Sequence, residues 1–339
     1  MKLILGVDTS CDDTGVGLVD LETGEVRANV VASQDDVHAA FGGVVPERAS
    51  REHLAVIDAT FDRALERAGA TRDDVHAVAA TYGPGLVGAL LVGLTWAKAF
   101  AWARGRPFRA VHHLEGHVAS AGPPEAGVPE LCLVASGGHT SLFRIDAQGV
   151  PSELGRTRDD AAGEAFDKVA RLLGLPFPGG PALADLATKG QPDGIDLPTP
   201  LKGQDGFDFS FSGLKTAVAV HLERDPNVPR ADLAAAFEDR VVASLVNTLT
   251  RAAERFGIDR VVVVGGVAAN ARLRAALEAT DLTVRMPLPG LATDNGAMIA
   301  LAARNAWLRS GTIALPIDAD WSRDASPYLP LDEALRAAS

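Results

Sequence analysis

One order of secondary-structure elements occurs twice along this chain. Lys2 to Val7 is continuously apolar after its first residue and predicts a buried strand, Cys11-Asp12-Asp13-Thr14-Gly15 a polar turn, and Val16 to Val19 a second strand. A third strand is predicted near Val26 to Ala32. Pro46 then opens a helix through about Ala68, because proline's fixed φ and missing N–H suit the first helical turn. Ala77 to Tyr82 returns as a strand ending in Gly83-Pro84-Gly85, and a helix follows. From about Leu131 the order starts again. A strand runs into Ser136-Gly137-Gly138-His139-Thr140 and out through Ser141 to Ile145, and the β-branched strand Arg260 to Val264 ends in Gly265-Gly266 before a helix from about Asn270.

Such a repeat predicts an α/β protein with a duplicated lobe, two lobes enclosing a nucleotide-binding cleft. Actin and the sugar kinases are built this way, and the expected fold is the duplicated actin-like ATPase fold. The expected boundaries are residues 1–125 for the first lobe, completed by a C-terminal helix at 294–310 and the tail, and 126–293 for the second. A length of 339 residues suits two lobes. The two cysteines, Cys11 and Cys132, give no disulfide framework and fit a reducing cytoplasm. The first apolar run is too short for a signal peptide, and Gly83 to Ala97 falls short of a bilayer span, so it is expected to be a buried helix and no membrane is implied.

A net charge of −12 argues against indiscriminate nucleic-acid binding, since phosphate contacts need local positive charge. An RNA substrate would have to meet a patch such as Arg48 with Arg51, Arg104/Arg106/Arg109, or Lys168 with Arg171, each of which reads equally well as a solvated face. The helix expected over 161–173 would bury Ala162, Ala165, Phe166, Val169, Leu172 and Leu173. Residues 190–211 are too long for a plain connection and predict a flap or ordered loop, and the segment after Pro316 reads as a C-terminal extension.

His113 and His117 stand four apart, so a helix would turn both imidazoles to one face, as a metal pair requires. A third ligand is needed. Asp294 is a candidate at the start of the last long helix, where the alternative is a helix N-cap. Zinc proteases place a glutamate directly after the first histidine, whereas Glu115 is two positions on and would turn away from the metal face. The turns at Ser136-Gly137-Gly138, Gly179-Gly180-Pro181 and Gly265-Gly266 would let backbone N–H groups approach a phosphate, or are ordinary tight turns. No P-loop or dinucleotide fingerprint occurs. Asp167 reads as a partner of Arg171 on an exposed face, and Asp12 and Asp13 as either turn formers or cleft carboxylates.

Nine segments in one order resemble the tRNA N(6)-adenosine threonylcarbamoyltransferases, called TsaD in bacteria. They are GVDTSCDDTG, GGVVPERASREH, GPGLVGALLVG, HHLEGH, SGGHT, DDAAGEAFDKVARLLGLPFPGGP, FDFSFSGLKTAV, GGVAAN and TDNGAMIA. The resemblance implies one divalent metal ion on His113, His117 and Asp294, with Fe(2+) ahead of Zn(2+). It implies substrate contacts from Val134, Ala135, Ser136, Gly137, Gly138, Asp167, Gly180 and Asn270, while Asp12 and Asp13, read as cleft carboxylates, are the catalytic candidates. The implied reaction passes the threonylcarbamoyl group of threonylcarbamoyl-AMP to the adenosine 3′ of the anticodon in tRNAs reading ANN codons, and AMP leaves. Implied partners are tRNA, a TsaB-like paralogue and a TsaE-like ATPase. Two departures stand out: Asp13 where members often have glutamate, and Ala184 where many carry aspartate, with Asp185 one place off. Rival readings are an actin-fold kinase or ATPase, an O-carbamoyltransferase, and a non-catalytic scaffold paralogue.

Overall fold

The structure, a computed structural model, describes residues 1–39, 41, 43–125, 127–309 and 320–331. Of the expected C-terminal extension, 317–319 and 332–339 lie outside the described residues. The chain divides into two compact units, Met1–Pro123 with Leu288–Ser339, and Pro124–Pro287.

In the first unit β1 (Leu3–Asp8), β2 (Thr14–Asp20), β3 (Val26–Ala32), β4 (Val75–Gly83) and β5 (Phe108–His112) form one sheet in the order β3-β2-β1-β4-β5. β1 pairs antiparallel with β2 and parallel with β4. Between the strands lie α1 (Asp35–Ala39), α2 (Pro46–Ala68) and α3 (Val87–Ala103), and α4 (His113–Ser120) follows β5 directly. Both faces of this sheet are covered, which is why β1 has no polar alternation. Leu3, Leu5 and Val7 join the core with Ile57 and Phe61 of α2 and Leu94 of α3, while Ile4 faces the opposite core. That second core is built on α10 (Gly296–Arg309). α10 can lie directly on the strands because Gly6, Gly15 and Gly17 form a lane without side chains. A Cβ on Gly15 would come within 2.6 Å of the Gly296 nitrogen, and one on Gly17 would enter the backbone of Ala297.

The second unit repeats the plan. β6 (Glu130–Ala135), β7 (Thr140–Ile145), β8 (Pro151–Arg156), β9 (Arg260–Val264) and β10 (Thr283–Arg285) are ordered β10-β9-β6-β7-β8. In each sheet a three-stranded antiparallel meander is extended by two parallel strands, so the duplication holds at the level of strand order. Its helices are α5 (Ala162–Leu172), α6 (Gly179–Ala187), α7 (Ser212–Arg224), α8 (Arg230–Phe256) and α9 (Ala271–Glu278).

Two burial expectations are corrected. Leu172 is 41% exposed, and Ala170 takes the buried position, since Leu172 falls beside the apolar stripe at the helix end. α3 is buried along one stripe only, through Ala89, Leu90, Gly93, Leu94, Ala97 and Ala101, while Val87, Leu91 and Trp102 face outward. Residues 190–211 are an ordered loop. Phe209 bridges to Thr157, and the Asp159 carboxylate accepts from Ser210 Oγ (2.5 Å) and the Phe211 and Ser212 N–H groups (2.7 and 3.1 Å). No helix of the described residues is long and apolar enough to cross a membrane.

Candidate metal centre and glycine turns

α4 begins without a linker after β5, and His112 serves as its cap. His112 Nδ1 accepts from the Leu114 N–H (3.1 Å) and Nε2 donates to the Leu329 carbonyl (2.9 Å), which fixes the ring as the neutral Nε2–H tautomer. One helical turn then places His113 and His117 side by side, with ring centroids 4.7 Å apart. Both are buried. Glu115 points elsewhere and pairs with Arg309 at 3.3 Å.

At the head of α10, Asn295 serves as a cap. Asn295 Oδ1 accepts from the Met298 N–H (2.9 Å) while its amide donates to the Thr293 carbonyl (2.8 Å). Asp294 immediately precedes this residue. Its Oδ1 lies 3.1 Å from His117 Nε2 and 3.6 Å from His113 Nε2. One ligand atom from each of the three residues falls within 4.8 Å of the others, so the group could hold one metal ion. Both ring nitrogens of the fully buried His117 lack a hydrogen-bond partner among the described residues. His117 Nε2 and Asp294 Oδ1 are thus close without being aligned as donor and acceptor, the relation of two ligands aimed at one ion.

Behind His113 stands Asp8, which the sequence reading missed. Asp8 Oδ2 is 3.5 Å from His113 Nδ1, and Ser10 Oγ completes a triangle with them, 3.3 Å from Asp8 and 3.1 Å from the ring. Thr81 Oγ1 donates to Asp8 Oδ1 at 2.6 Å. A carboxylate behind a histidine orients the ring and raises its basicity as a ligand. Burial works against protonation of His113, but the Asp294 and Asp8 carboxylates outweigh it and hold the pKa up at about 9. The available signal was an aspartate closing a wholly apolar strand, costly to bury unless it is paired.

Asp12 and Asp13 occupy the turn between β1 and β2. Burial raises the pKa of both, and the charges of Asp12 and Asp294 add to it at Asp13, which is pushed up to about 7. These carboxylates concentrate negative charge in a neighbourhood that a cation would relieve. Burial also pushes the Cys11 thiol far above its usual range, so it is protonated and inert.

The remaining expected contacts belong to the second unit. Val134 and Ala135 end β6, and the following turn is closed by the Ser136 N–H on the His139 carbonyl (2.8 Å) and the His139 N–H on Ser136 Oγ (3.2 Å). Gly137 and Gly138 are open, since an added Cβ would meet nothing within 4 Å. Gly163 at the head of α5 donates to the Ser136 carbonyl at 3.1 Å, and Gly265, with φ at +94°, presses on the Ala135 carbonyl, where a side chain could not fit. Asn270 caps α9 through the Leu273 N–H (2.9 Å) and donates to the buried Glu238 at 2.6 Å. Val134 to Gly138, Gly265 and Asn270 therefore gather at the C-terminal ends of the parallel strands β6 and β9, where α/β sheets form ligand sites. Asp167 serves the neighbouring corner. Its Oδ1 accepts from the Gly179 N–H at 2.8 Å, and the turn expected at Gly179-Gly180-Pro181 is instead the first turn of α6, with Gly180 open.

Residues 25–301 match the sequence profile of TsaD, tRNA N6-adenosine threonylcarbamoyltransferase. The chain belongs to the TsaD family. A tRNA N6-adenosine threonylcarbamoyltransferase of Thermus thermophilus is 54% identical over 333 residues, covering 98% of this chain and 99% of that protein. A protein of the same name from Ralstonia pickettii is 51% identical over 315 residues, covering 88% and 90%. Among solved structures, component A of the (R)-2-hydroxyglutaryl-CoA dehydratase of Acidaminococcus fermentans superposes with a TM-score of 0.57 at 16% identity, over 92% of this chain and all of that one. HypF of T. kodakarensis gives 0.61 at 15%, over 92% of this chain and 48% of that one. These likenesses carry the fold, which is the actin-like ATPase fold. Of the two departures from the TsaD pattern, Asp13 stands in the turn between β1 and β2 and Ala184 lies within α6, where its neighbour Asp185 is engaged with Lys189 at 2.8 Å on an exposed face. Lys168 is held by Asp160 and Glu164 (2.6 and 2.9 Å) and Arg104 by Asp73 (2.5 Å), which neutralises two of the expected basic patches in part.

Proposed function

We propose that this TsaD family member transfers the threonylcarbamoyl group of threonylcarbamoyl-AMP to the N6 amine of the adenosine 3′ of the anticodon in tRNAs reading ANN codons. The carbonyl carbon's bond to the phosphate oxygen breaks, a bond to nitrogen forms, the amine gives up a proton and AMP leaves. The observation that carries this reading is the buried, unpartnered imidazole of His117 beside His113 and Asp294, in a chain of this family.

His113, His117 and Asp294 are the proposed ligands of one divalent ion, Fe(2+) first and Zn(2+) second, since two imidazoles and a carboxylate suit either. Bound there, such an ion would polarise a ligated oxygen and orient it. Asp8 and Ser10 hold the His113 ring, and Asp12 and Asp13 are the proposed catalytic carboxylates. In the second unit the turn at Ser136, Gly137 and Gly138, whose two glycines leave space for a ligand, supplies the proposed contacts of the adenylate together with Val134, Ala135, Asp167, Gly180 and Asn270. An acidic chain needs help with tRNA, and a TsaB-like paralogue and a TsaE-like ATPase are the proposed partners, in the cytoplasm. The outward Leu54, Val87, Leu91 and Trp102 of α2 and α3 support a protein partner.

The test supplies threonylcarbamoyl-AMP, unmodified tRNA and the partner proteins, then digests the tRNA and seeks N6-threonylcarbamoyladenosine by mass spectrometry. The parent protein makes the nucleoside and releases AMP, and Asp294→Ala makes little. A small alcohol gaining phosphate from ATP, with no modified nucleoside, would establish the kinase reading instead.

A further inference from the structure

We propose that His53 is a positioning residue for the reaction above: its buried ring clasps the Asp12–Asp13 dipeptide from both sides and fixes where those two carboxylates stand. The inference rests on the reading of Asp12 and Asp13 as catalytic.

The turn needs such a device. Pairing between β1 and β2 stops at Asp8 and Gly15, so the stretch carrying Asp12 and Asp13 leaves that ladder. Asp12, Asp13 and Asp294 also repel one another, which would splay an unrestrained turn. His53, fully buried on α2, meets the residues on either side of the dipeptide. Its Nε2 lies 3.0 Å from the Cys11 carbonyl and its Nδ1 lies 2.7 Å from Thr14 Oγ1.

The proton positions follow from the partners. A carbonyl can only accept, so Nε2 carries the proton and Nδ1 accepts from the Thr14 hydroxyl. Gln34 Nε2 donates to the same Nδ1 at 3.2 Å and reaches the Ala49 carbonyl at 3.3 Å. Gln34 Oε1 then accepts from His38 Nε2 (3.1 Å), and His38 Nδ1 accepts from the Val45 N–H (3.3 Å). Every donor in this chain has an acceptor, with the Thr14 hydroxyl and the Gln34 amide sharing the single lone pair of His53 Nδ1 and one orientation of the Gln34 amide serving all. Thr14, Gln34, His38 and His53 are all buried. A fully satisfied buried network rigidifies what it touches, and this one ends on the backbone of the Asp12–Asp13 turn.

The test uses the metal-loaded full chain with partner proteins, threonylcarbamoyl-AMP and unmodified tRNA. Glutamine can place its amide nitrogen near that of Nε2, whereas asparagine reaches only as far as Nδ1. His53→Asn therefore lowers kcat between about tenfold and a hundredfold, the scale of a small misplacement of reacting groups, with KM for the adenylate and metal content unchanged. His53→Gln brings kcat back to within a few-fold of the parent. Introduced on top of Asp12→Asn, His53→Asn costs far less than on the parent, because the residues act as a unit. Equal kcat for the two His53 variants, or the same loss with and without Asp12→Asn, overturns the proposal. Should His53→Asn fail to fold by circular dichroism, Thr14→Val, which removes only the hydroxyl, goes through the same cycle under the same criteria. If the parent itself makes no modified nucleoside, it is the proposed reaction that fails, and the clasp's catalytic role falls with it.

Discussion

Among the described residues, His117 is the side chain with two buried polar atoms that lack a hydrogen-bond partner. A buried polar group left without a partner costs about 1–3 kcal/mol, and this ring carries two such nitrogens. His117→Leu removes both while nearly preserving volume. In metal-free protein the variant is expected to unfold at a urea concentration no lower than the metal-free parent, and metal content measured by elemental analysis falls to background. Unchanged stoichiometry in the folded variant would sink the ligand assignment, and a clear loss of metal-free stability would show that the ring was satisfied after all. At this scale the sequence was partly readable. Spacing brought out His113 and His117, because one helical turn is a local rule. It left Asp294 open between cap and ligand, because a carboxylate just before a helix can accept from the helix's first turn as readily as it can face two histidines that lie far away in sequence. Asp8 was missed for a different reason: its place at the end of an apolar strand signals a paired carboxylate, but of its partners Ser10, Thr81 and His113 two lie far along the chain.

Among the elements, α10 sets the site, since Asp294 and Asn295 immediately precede it and α4 packs against it. Two glycines allow these contacts with unequal tolerance. A Cβ on Gly17 would be forced into the backbone of Gly296 and Ala297, which cannot yield locally. A Cβ on Gly116 would meet the Ile299 Cδ1 at 2.7 Å and the Met298 Cγ at 3.1 Å, both on side chains that can rotate. Gly116→Ala is therefore expected to cost at most about 1–3 kcal/mol, the usual range for overpacking, and Gly17→Ala more. Urea unfolding followed by circular dichroism orders the two, and metal content falls in Gly17→Ala first. Equal midpoints would mean that α10 is not seated on the glycine lane. Elements with a strong local pattern, such as α2 opened by Pro46 and the continuous apolar run of β1, were readable from sequence, as was β3. β8, which carries Glu153 and Arg156 on an edge, and the three-residue β10 were not, because their pairing with β7 and β9 is decided by long-range register rather than by their own pattern.

Across the whole molecule the duplication was readable, because each copy closes its parallel strand with a glycine turn, but the strand order within each sheet had to come from pairing over long sequence distances. Charge is the property that belongs to this scale. Against 44 acidic residues stand 32 lysines and arginines, and several of those cations are committed: Arg285 to the buried Glu130 (2.7 Å), Arg158 to Asp208 (2.9 Å), and Lys168 to two carboxylates. A polyanion approaching this chain therefore gains few released counterions, and the isolated protein is expected to bind tRNA weakly with a shallow dependence on salt. A partner that contributes its own lysines and arginines should steepen that dependence, by roughly 0.9 in log–log slope per added contact to duplex phosphate and somewhat less on single strands. Titrating labelled tRNA at several salt concentrations, with and without the partner proteins, measures both slopes. In the same samples, modified nucleoside should accumulate beyond one equivalent of enzyme only when the partners are present. A steep slope together with multiple turnover by the isolated chain at physiological salt would mean that the uncommitted arginines suffice for tRNA docking, and the requirement for partners would have to be given up.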